Sequence, residues 1–326
     1  MSRAQVFVER VPRPEFAAMF LPGGALAGIA GLVRASDGRL DLDFWVDSRA
    51  NLERASVYCG LAKLVDIYAG RGRRLRLETT GLVRRRLSLP DNQAAWIREE
   101  DHTDLAAHVV SLVDRAVPVL PESHTRAGRT LRAGRGRSVL ARSFGPRFDD
   151  ERTGAPWLAD ITGRVRDALL EVGGIPRNLP PKPSCDALMI DRSGRLLLVD
   201  AEAPRSAEVG FAPSRATQNI ALWDAWVAAD PGALSHLRKM ARLREGLGLC
   251  RAGTADLVLS SGAPRSTFVL ATESSVSAAL IGRMEQAAAV LARAGLLDAT
   301  RFCYELTPPS EPGPVQHGIY PDAIEE

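Results

Sequence analysis

The chain has 326 residues, 45% hydrophobic and 25% charged, with a net charge of +3. That length allows about two domains, and that balance excludes a disordered chain, a collagen and a coiled-coil rod. Of the 42 basic residues only Lys63, Lys182 and Lys239 are lysines, which leaves 39 arginines. Codon usage accounts for such a total. The distribution says more, because a guanidinium fork grips phosphate in two places. Residues 1–150 hold 24 Lys/Arg and 18 Asp/Glu, and residues 151–326 hold 18 and 21. A basic half precedes an acidic one, which hints at an anionic partner on one side and a metal or acid site on the other.

Cys59, Cys185, Cys250 and Cys303 are far apart and form no CxxC pair, which argues against zinc and against a disulfide framework. The start, MSRAQVFVERVPRPEF, has no signal-peptide core. No apolar run approaches the ~20 residues that span a bilayer. A reduced, cytoplasmic protein without a membrane partner is expected.

In chain order, LAGIAGLV and LDLDFWV flank Ser36-Asp37-Gly38 and predict a hairpin over 26–46. Asn51 caps a predicted helix to about Tyr68, with Leu52, Ala55, Leu61, Leu64 and Val65 as its apolar stripe. A strand at Arg74–Glu78 and a helix at Asp104–Ala116 complete a small N-terminal α+β domain, residues 1–120. Residues 121–156 carry eight arginines among Pro, Gly and Ser and read as a basic loop or linker. Such a stretch is either a solvated surface loop or a phosphate-contacting arm. Arg126, Arg129, Arg132, Arg135 and Arg137 are its candidate nucleic-acid contacts, although few aromatics are interleaved for base stacking.

A helix from Trp157 to Val172 follows, ended by Gly173-Gly174, and then an extended Pro-rich connection. Apolar runs Ala187–Ile190 and Leu196–Val199 predict a hairpin of buried strands around Asp191-Arg192-Ser193-Gly194. Helices at 216–228 and 233–247, strands at 256–260 and 267–271, a helix at 276–297 and a strand at 301–306 complete a domain over 157–310. The remainder, 311–326, reads as a tail. The five histidines form no pair at metal spacing and read as surface or capping residues.

The informative segment is CDALMIDRSGRLLLVDAE, residues 185–202. If Arg192-Ser193-Gly194 is the turn, Asp191 pairs with Arg195 and Asp186 lies opposite Asp200. Opposed residues bring their Cβ atoms to about 4.5–5.5 Å. Glu202, two residues on, falls on the Asp200 face. Like charges that close repel, so such a cluster calls for a cation or a shared proton. Hard oxygen ligands suit Mg²⁺ or Mn²⁺, and such an ion can activate water on a phosphodiester. The alternative is a hairpin with solvated strand-end acids, and a one-residue slip would separate the two aspartates.

The order helix, Pro-rich connection, strand with Asp, Gly turn, strand ending in acid-x-acid, helix resembles the PD-(D/E)xK nuclease-like superfamily over about residues 157–306. The resemblance implies a restriction-endonuclease-like mixed sheet flanked by helices, and a metal-dependent nuclease acting on DNA, or on RNA. Asp186 matches the first motif Asp, Asp200 the (D/E) position, and Glu202 stands where the Lys would be. Gln218 matches a polar Gln found in the following helix of some branches; Leu222 stands where its aromatic partner would be, with Trp223 beside it. Glu171 matches an accessory metal-binding acid. Lys182, four residues before Asp186, is a candidate for the displaced lysine role, as are Lys239 and Arg205. Cys185 replaces the motif proline. On this resemblance Asp186, Asp200, Glu202 and Lys182 are the candidate catalytic residues, and Asp186, Asp200 and Glu171 the candidate ligands of Mg²⁺ or Mn²⁺. Implied partners are nucleic acid, with DNA favoured, and a second copy or a defence-system protein; the implied roles are phage defence or genome maintenance.

The altered lysine position supports an alternative, a catalytically degenerate nuclease-like domain that binds nucleic acid or serves in assembly. The hairpin also resembles the metal-binding hairpin of aminoglycoside-type kinases. That fold needs an HxD shortly before the first strand, and NLPPKPSCD supplies no His. A third alternative is that the acids are structural.

Overall fold

In a computed structural model, the protein is described over residues 6–7, 10–47, 51–70, 74–90, 96–121, 137–145, 147–148, 156–170, 184–202, 212–259, 262–271, 278–307 and 315–318; of some of these, Glu202 included, only the backbone is described. The elements are β1 (Val6–Phe7), α1 (Pro14–Ala18), α2 (Ala27–Ala35), β2 (Leu40–Asp47), β3 (Leu52–Cys59), β4 (Ala62–Ala69), β5 (Leu75–Thr79), α3 (Gly81–Leu87), α4 (His102–Ala116), β6 (Ser138–Phe144), β7 (Arg147–Phe148), α5 (Pro156–Leu169), β8 (Cys185–Ile190), β9 (Leu196–Glu202), α6 (Ala212–Ala229), α7 (Ala233–Gly246), α8 (Thr254–Leu259), β10 (Arg265–Ala271), α9 (Ala278–Arg293), β11 (Phe302–Thr307) and β12 (Val315–Gly318). The fold is α+β, with an antiparallel sheet of four strands, a mixed sheet of six and a two-stranded antiparallel pair of β1 with β7. Among the described residues, no helix is long and apolar enough to cross a membrane.

The chain divides into two compact units, and the division is not a single cut after residue 120. One unit joins Glu9–Ala133 to His236–Asp256; the other joins Met1–Val8, Gly134–Ser235 and Leu257–Glu326. The returning segment explains itself chemically. Arg244 on α7 is 2% exposed and donates to the Leu42 carbonyl at 2.6 Å and to Asp41. Asp41 in turn accepts from the Leu42 amide at 3.0 Å. Both backbone groups of Leu42, on an edge strand, are thereby satisfied, which blunts an edge that would otherwise invite pairing. Asp43 completes the cluster by pairing with Arg10 at 2.8 Å.

In this first unit the sheet order is β2-β3-β4-β5. Leu40, Leu42 and Phe44 alternate toward the core, where Phe16, Phe20 and Phe44 meet edge to face. The predicted 26–46 hairpin is half correct. Residues 27–35 form a helix, because Ile29, Ala30 and Val33 make a stripe at helical spacing and Ala27, Ala30 and Ala35 favour helix. The predicted helix at 51–68 is a hairpin instead. Ala55, Val57 and Cys59 alternate inward, Gly60 turns at φ 60°, and β-branched and aromatic residues favour strands. The strand near 75 and the helix near 104 are as expected.

The second unit holds the sheet β12-β11-β10-β9-β8-β6, with β9, β10 and β11 parallel and the outer pairings antiparallel. Helices α5, α6 and α9 pack through Val165, Leu169, Ala216, Ile220, Met284 and Leu291 against Phe302 and Tyr304. The predicted linker contains two strands, β6 and β7. β6 is buried at Val139, Leu140, Ala141 and Phe144, and Arg142 is 1% exposed. The predicted strand at 256–260 is the short helix α8; brief apolar runs do not distinguish the two. Within the predicted tail, Val315–Gly318 pairs with β11.

Candidate active site

The 185–202 hairpin has the predicted register. Ala187 pairs with Val199 and Ile190 with Leu196, so the ladder runs directly toward Asp186 and Asp200. The turn sets it. Asp191 Oδ1 accepts from Ser193 N at 2.8 Å, Ser193 Oγ at 2.6 Å and Arg195 N at 3.0 Å, while Gly194 sits at φ 81°, where a side chain is strained.

Asp186 is partly buried, and its Oδ2 accepts from the Ala201 amide at 3.0 Å. Its carboxylate therefore bridges to the end of β9. Asp200 is 2% exposed, and its Oδ2 accepts from Asn219 Nδ2 on α6. A carboxylate in such a place depends on charge-assisted hydrogen bonds. Sequence reasoning missed Asn219. The signal was there: a second polar residue, directly after Gln218, in the otherwise apolar run TQNIALW.

Gln218 ties α6 to α5. It is 1% exposed, and its Nε2 donates to Thr162 Oγ1 on α5 at 3.3 Å. Trp223 is buried with Trp226 and Phe144, at ring-centroid distances of 5.3 to 6.3 Å. Arg137 is also part of the fold rather than of a basic arm. Its side chain is 7% exposed and forms a two-pronged ion pair with Glu305, which is fully buried. Burial works against its charge, but Glu305 outweighs that and raises its pKa.

Lys182, Glu171, Arg205, Arg126, Arg129, Arg132 and Arg135 lie outside the described residues, as does the side chain of Glu202. The Glu202 backbone pairs with Leu270 of β10. Lys239, on α7, belongs to the other unit and not to the unit of the hairpin acids. The four cysteines are free thiols, Cys59, Cys185 and Cys303 buried. Among the described residues no three of His, Cys, Asp and Glu gather as a metal site. One histidine departs from expectation: His102 is completely buried, at the start of α4. The fit to a hard cation is therefore a matter of the two aspartates. Mg²⁺ keeps several waters and is held through one or two carboxylates, and a carboxylate offers about four acceptor positions. Asp186 and Asp200 fit in kind and in number.

Comparison of the chain with protein-family models, with curated proteins and with solved structures finds no match in any of the three.

Proposed function

We propose that the second unit is a PD-(D/E)xK nuclease-like domain and that the protein is a divalent-metal-dependent nucleic-acid phosphodiesterase, with DNA as the favoured substrate. One observation carries the reading: the β8–β9 register runs to Asp186 and Asp200 on adjacent strands, and α6 contributes Asn219 to the second of them. The sequence α5, β8, β9, α6, β10, with β10 parallel to β9, also supports it. Bound Mg²⁺ or Mn²⁺ supplies an activated water and offsets charge on the phosphate. Asp186 and Asp200 hold the ion. The Ala201 amide fixes the orientation of the first carboxylate and Asn219 that of the second. Glu202 is a further ligand or orients the water, Glu171 is an accessory ligand, and Lys182 offsets developing charge.

The test uses the full chain with plasmid DNA, single-stranded DNA and RNA. Cleavage that requires Mg²⁺ or Mn²⁺ and disappears in Asp200→Ala supports the reading; Mn²⁺ binding by calorimetry should disappear with it. No metal binding and no cleavage of any substrate overturns it. Glu202 in place of the motif lysine favours a second reading, a degenerate domain that binds nucleic acid or serves in assembly. That reading predicts binding without cleavage, unchanged in Asp186→Ala and weakened by charge reversal at Arg126, Arg129, Arg132 and Arg135.

A further inference from the structure

The four-stranded sheet of the first unit has a second face, turned away from Leu42, Val57, Ile67 and their core. One cross-strand row on that face alternates aromatic rings and guanidinium groups. Trp45 pairs with Arg54, Arg54 with Tyr68, and Tyr68 with Arg76. A bridge between Leu75 and Ile97 extends the register by one segment, which sets Trp96 beside Arg76. The side chains touch as the register requires. The Arg54 guanidinium lies 4.7 Å from the Trp45 ring, and that of Arg76 lies 4.7 Å from Tyr68 and 5.2 Å from Trp96. The backbone makes room for the last ring: a Cβ on Gly70 would come within 2.7 Å of it.

The row is accessible. Trp96 is 39% exposed, and the side chains of Arg54 and Arg76 are 22% and 25% exposed. Continued by one residue, the same register places Arg74 opposite Arg98, and both are exposed. On the face itself Asp66 pairs with Lys63 at 2.6 Å, Glu78 with Arg76 at 2.9 Å and Asp43 with Arg10 at 2.8 Å; at its flank Glu100 lies 3.6 Å from Arg98, next to the exposed Glu99 and Asp101. An anion with flat apolar surfaces is the complement of this face. Rings two strands apart stand about 9–10 Å from one another. Stacked duplex bases, about 3.4 Å apart with their faces covered, cannot meet them. Unstacked bases can, and stacking tolerates any sequence.

We propose that this face binds single-stranded nucleic acid, with Trp96, Tyr68 and Trp45 as stacking rings and Arg74 and Arg98 as phosphate contacts. The proposal does not depend on Asp186 or Asp200. It is tested by fluorescence anisotropy of labelled oligo(dT) and oligo(U) with the full chain in EDTA, where no metal-dependent cleavage occurs. Trp96→Ala should weaken binding about tenfold, in line with loss of one stacked base, and Trp96→Phe should restore most of it. Arg74→Glu with Arg98→Glu should flatten the salt dependence; both residues are exposed, so this variant keeps the test independent of ring packing. Asp200→Ala should bind like the wild type, which separates this face from the phosphodiesterase reading. Three results overturn the proposal: unchanged affinity in both the Trp96→Ala and the double Arg variant, displacement by duplex DNA or polyglutamate as effective as by oligo(dT), or no binding of either oligonucleotide.

Discussion

Arg244→Met tests whether the returning segment holds the first unit together. The Arg244 side chain is 3% exposed, and the side chains of Asp41 and Asp43 are 5% and 6% exposed. Burial works against the guanidinium charge, but Asp41 and Asp43 outweigh it, so its pKa is raised and it stays a cation. Methionine fills much of the same volume and removes both bonds. Asp41 loses its cation, and the Leu42 carbonyl loses its donor. Breaking a buried ion pair on one side costs about 3–5 kcal/mol, a large part of a domain's ~5–15 kcal/mol. For a unit of this size that lowers the melting temperature by roughly 10 °C. Urea unfolding, with hydrogen exchange of the β2 and β3 amides to localise the loss, reads it. Asp41→Asn combined with Arg244→Met should recover part of the penalty, because a neutral amide replaces the stranded charge. A loss below about 1 kcal/mol in the single variant would refute the reasoning, since it lies far under the cost of an uncompensated buried carboxylate.

Arg137→Ala should destabilise the second unit by about 3–5 kcal/mol in urea unfolding, because it strands the fully buried Glu305, and Glu305→Gln in the same chain should relieve part of that. Burial lowers the pKa of His102 below its usual value, so the folded state prefers the neutral ring. The unfolded chain takes up the proton first; stability of the first unit is therefore full above about pH 6.5 and declines as pH falls below it. Urea midpoints across that range should show the decline, and His102→Phe should reduce it. Gly194→Ala forces a side chain into φ 81° and should cost about 1–2 kcal/mol by thermal unfolding.

The second unit was more legible than the first for a physical reason. The 185–202 hairpin carries its own specification: a turn whose Asp191 side chain closes three hydrogen bonds, and apolar runs of strand length on each side. Its register followed from those residues alone. The segment at 51–69 offered no such signal. Its apolar residues fit a helical stripe as well as two alternating strands, and only Gly60 marks the turn. The returning 236–256 segment was illegible because its partner lies about 200 residues earlier, as Arg244 and Asp41 show. At the site, the register that runs toward Asp186 and Asp200 could be found by counting. Asn219 could not, since its role depends on how α6 packs over β9, and helical periodicity gives no preference to it over Gln218.

The abundance of arginine takes on a structural meaning from these contacts. Arg244 reaches a backbone carbonyl and a carboxylate at once. Arg137 grips both oxygens of Glu305, and Arg301 grips both of Asp224 at 2.8 and 2.9 Å. Arg54 and Arg76 lie over aromatic rings, 4.7 Å from their centroids. Each of these uses the planar fork, which a lysine ammonium does not have. Codon usage can supply arginine, but it does not put arginine where two bonds or a flat face are required. The guanidinium groups held inside the fold therefore subtract from the charge offered to a polyanion. Exposed arginines remain in both units among the described residues, Arg74, Arg85, Arg86 and Arg98 in the first and Arg164, Arg166, Arg192 and Arg195 in the second among them. Exposed charge alone therefore does not single out a binding face; the row of rings that the four-stranded sheet sets among guanidinium groups does, which is why that sheet, and not the acidic hairpin, is the place to look for the strand-binding face.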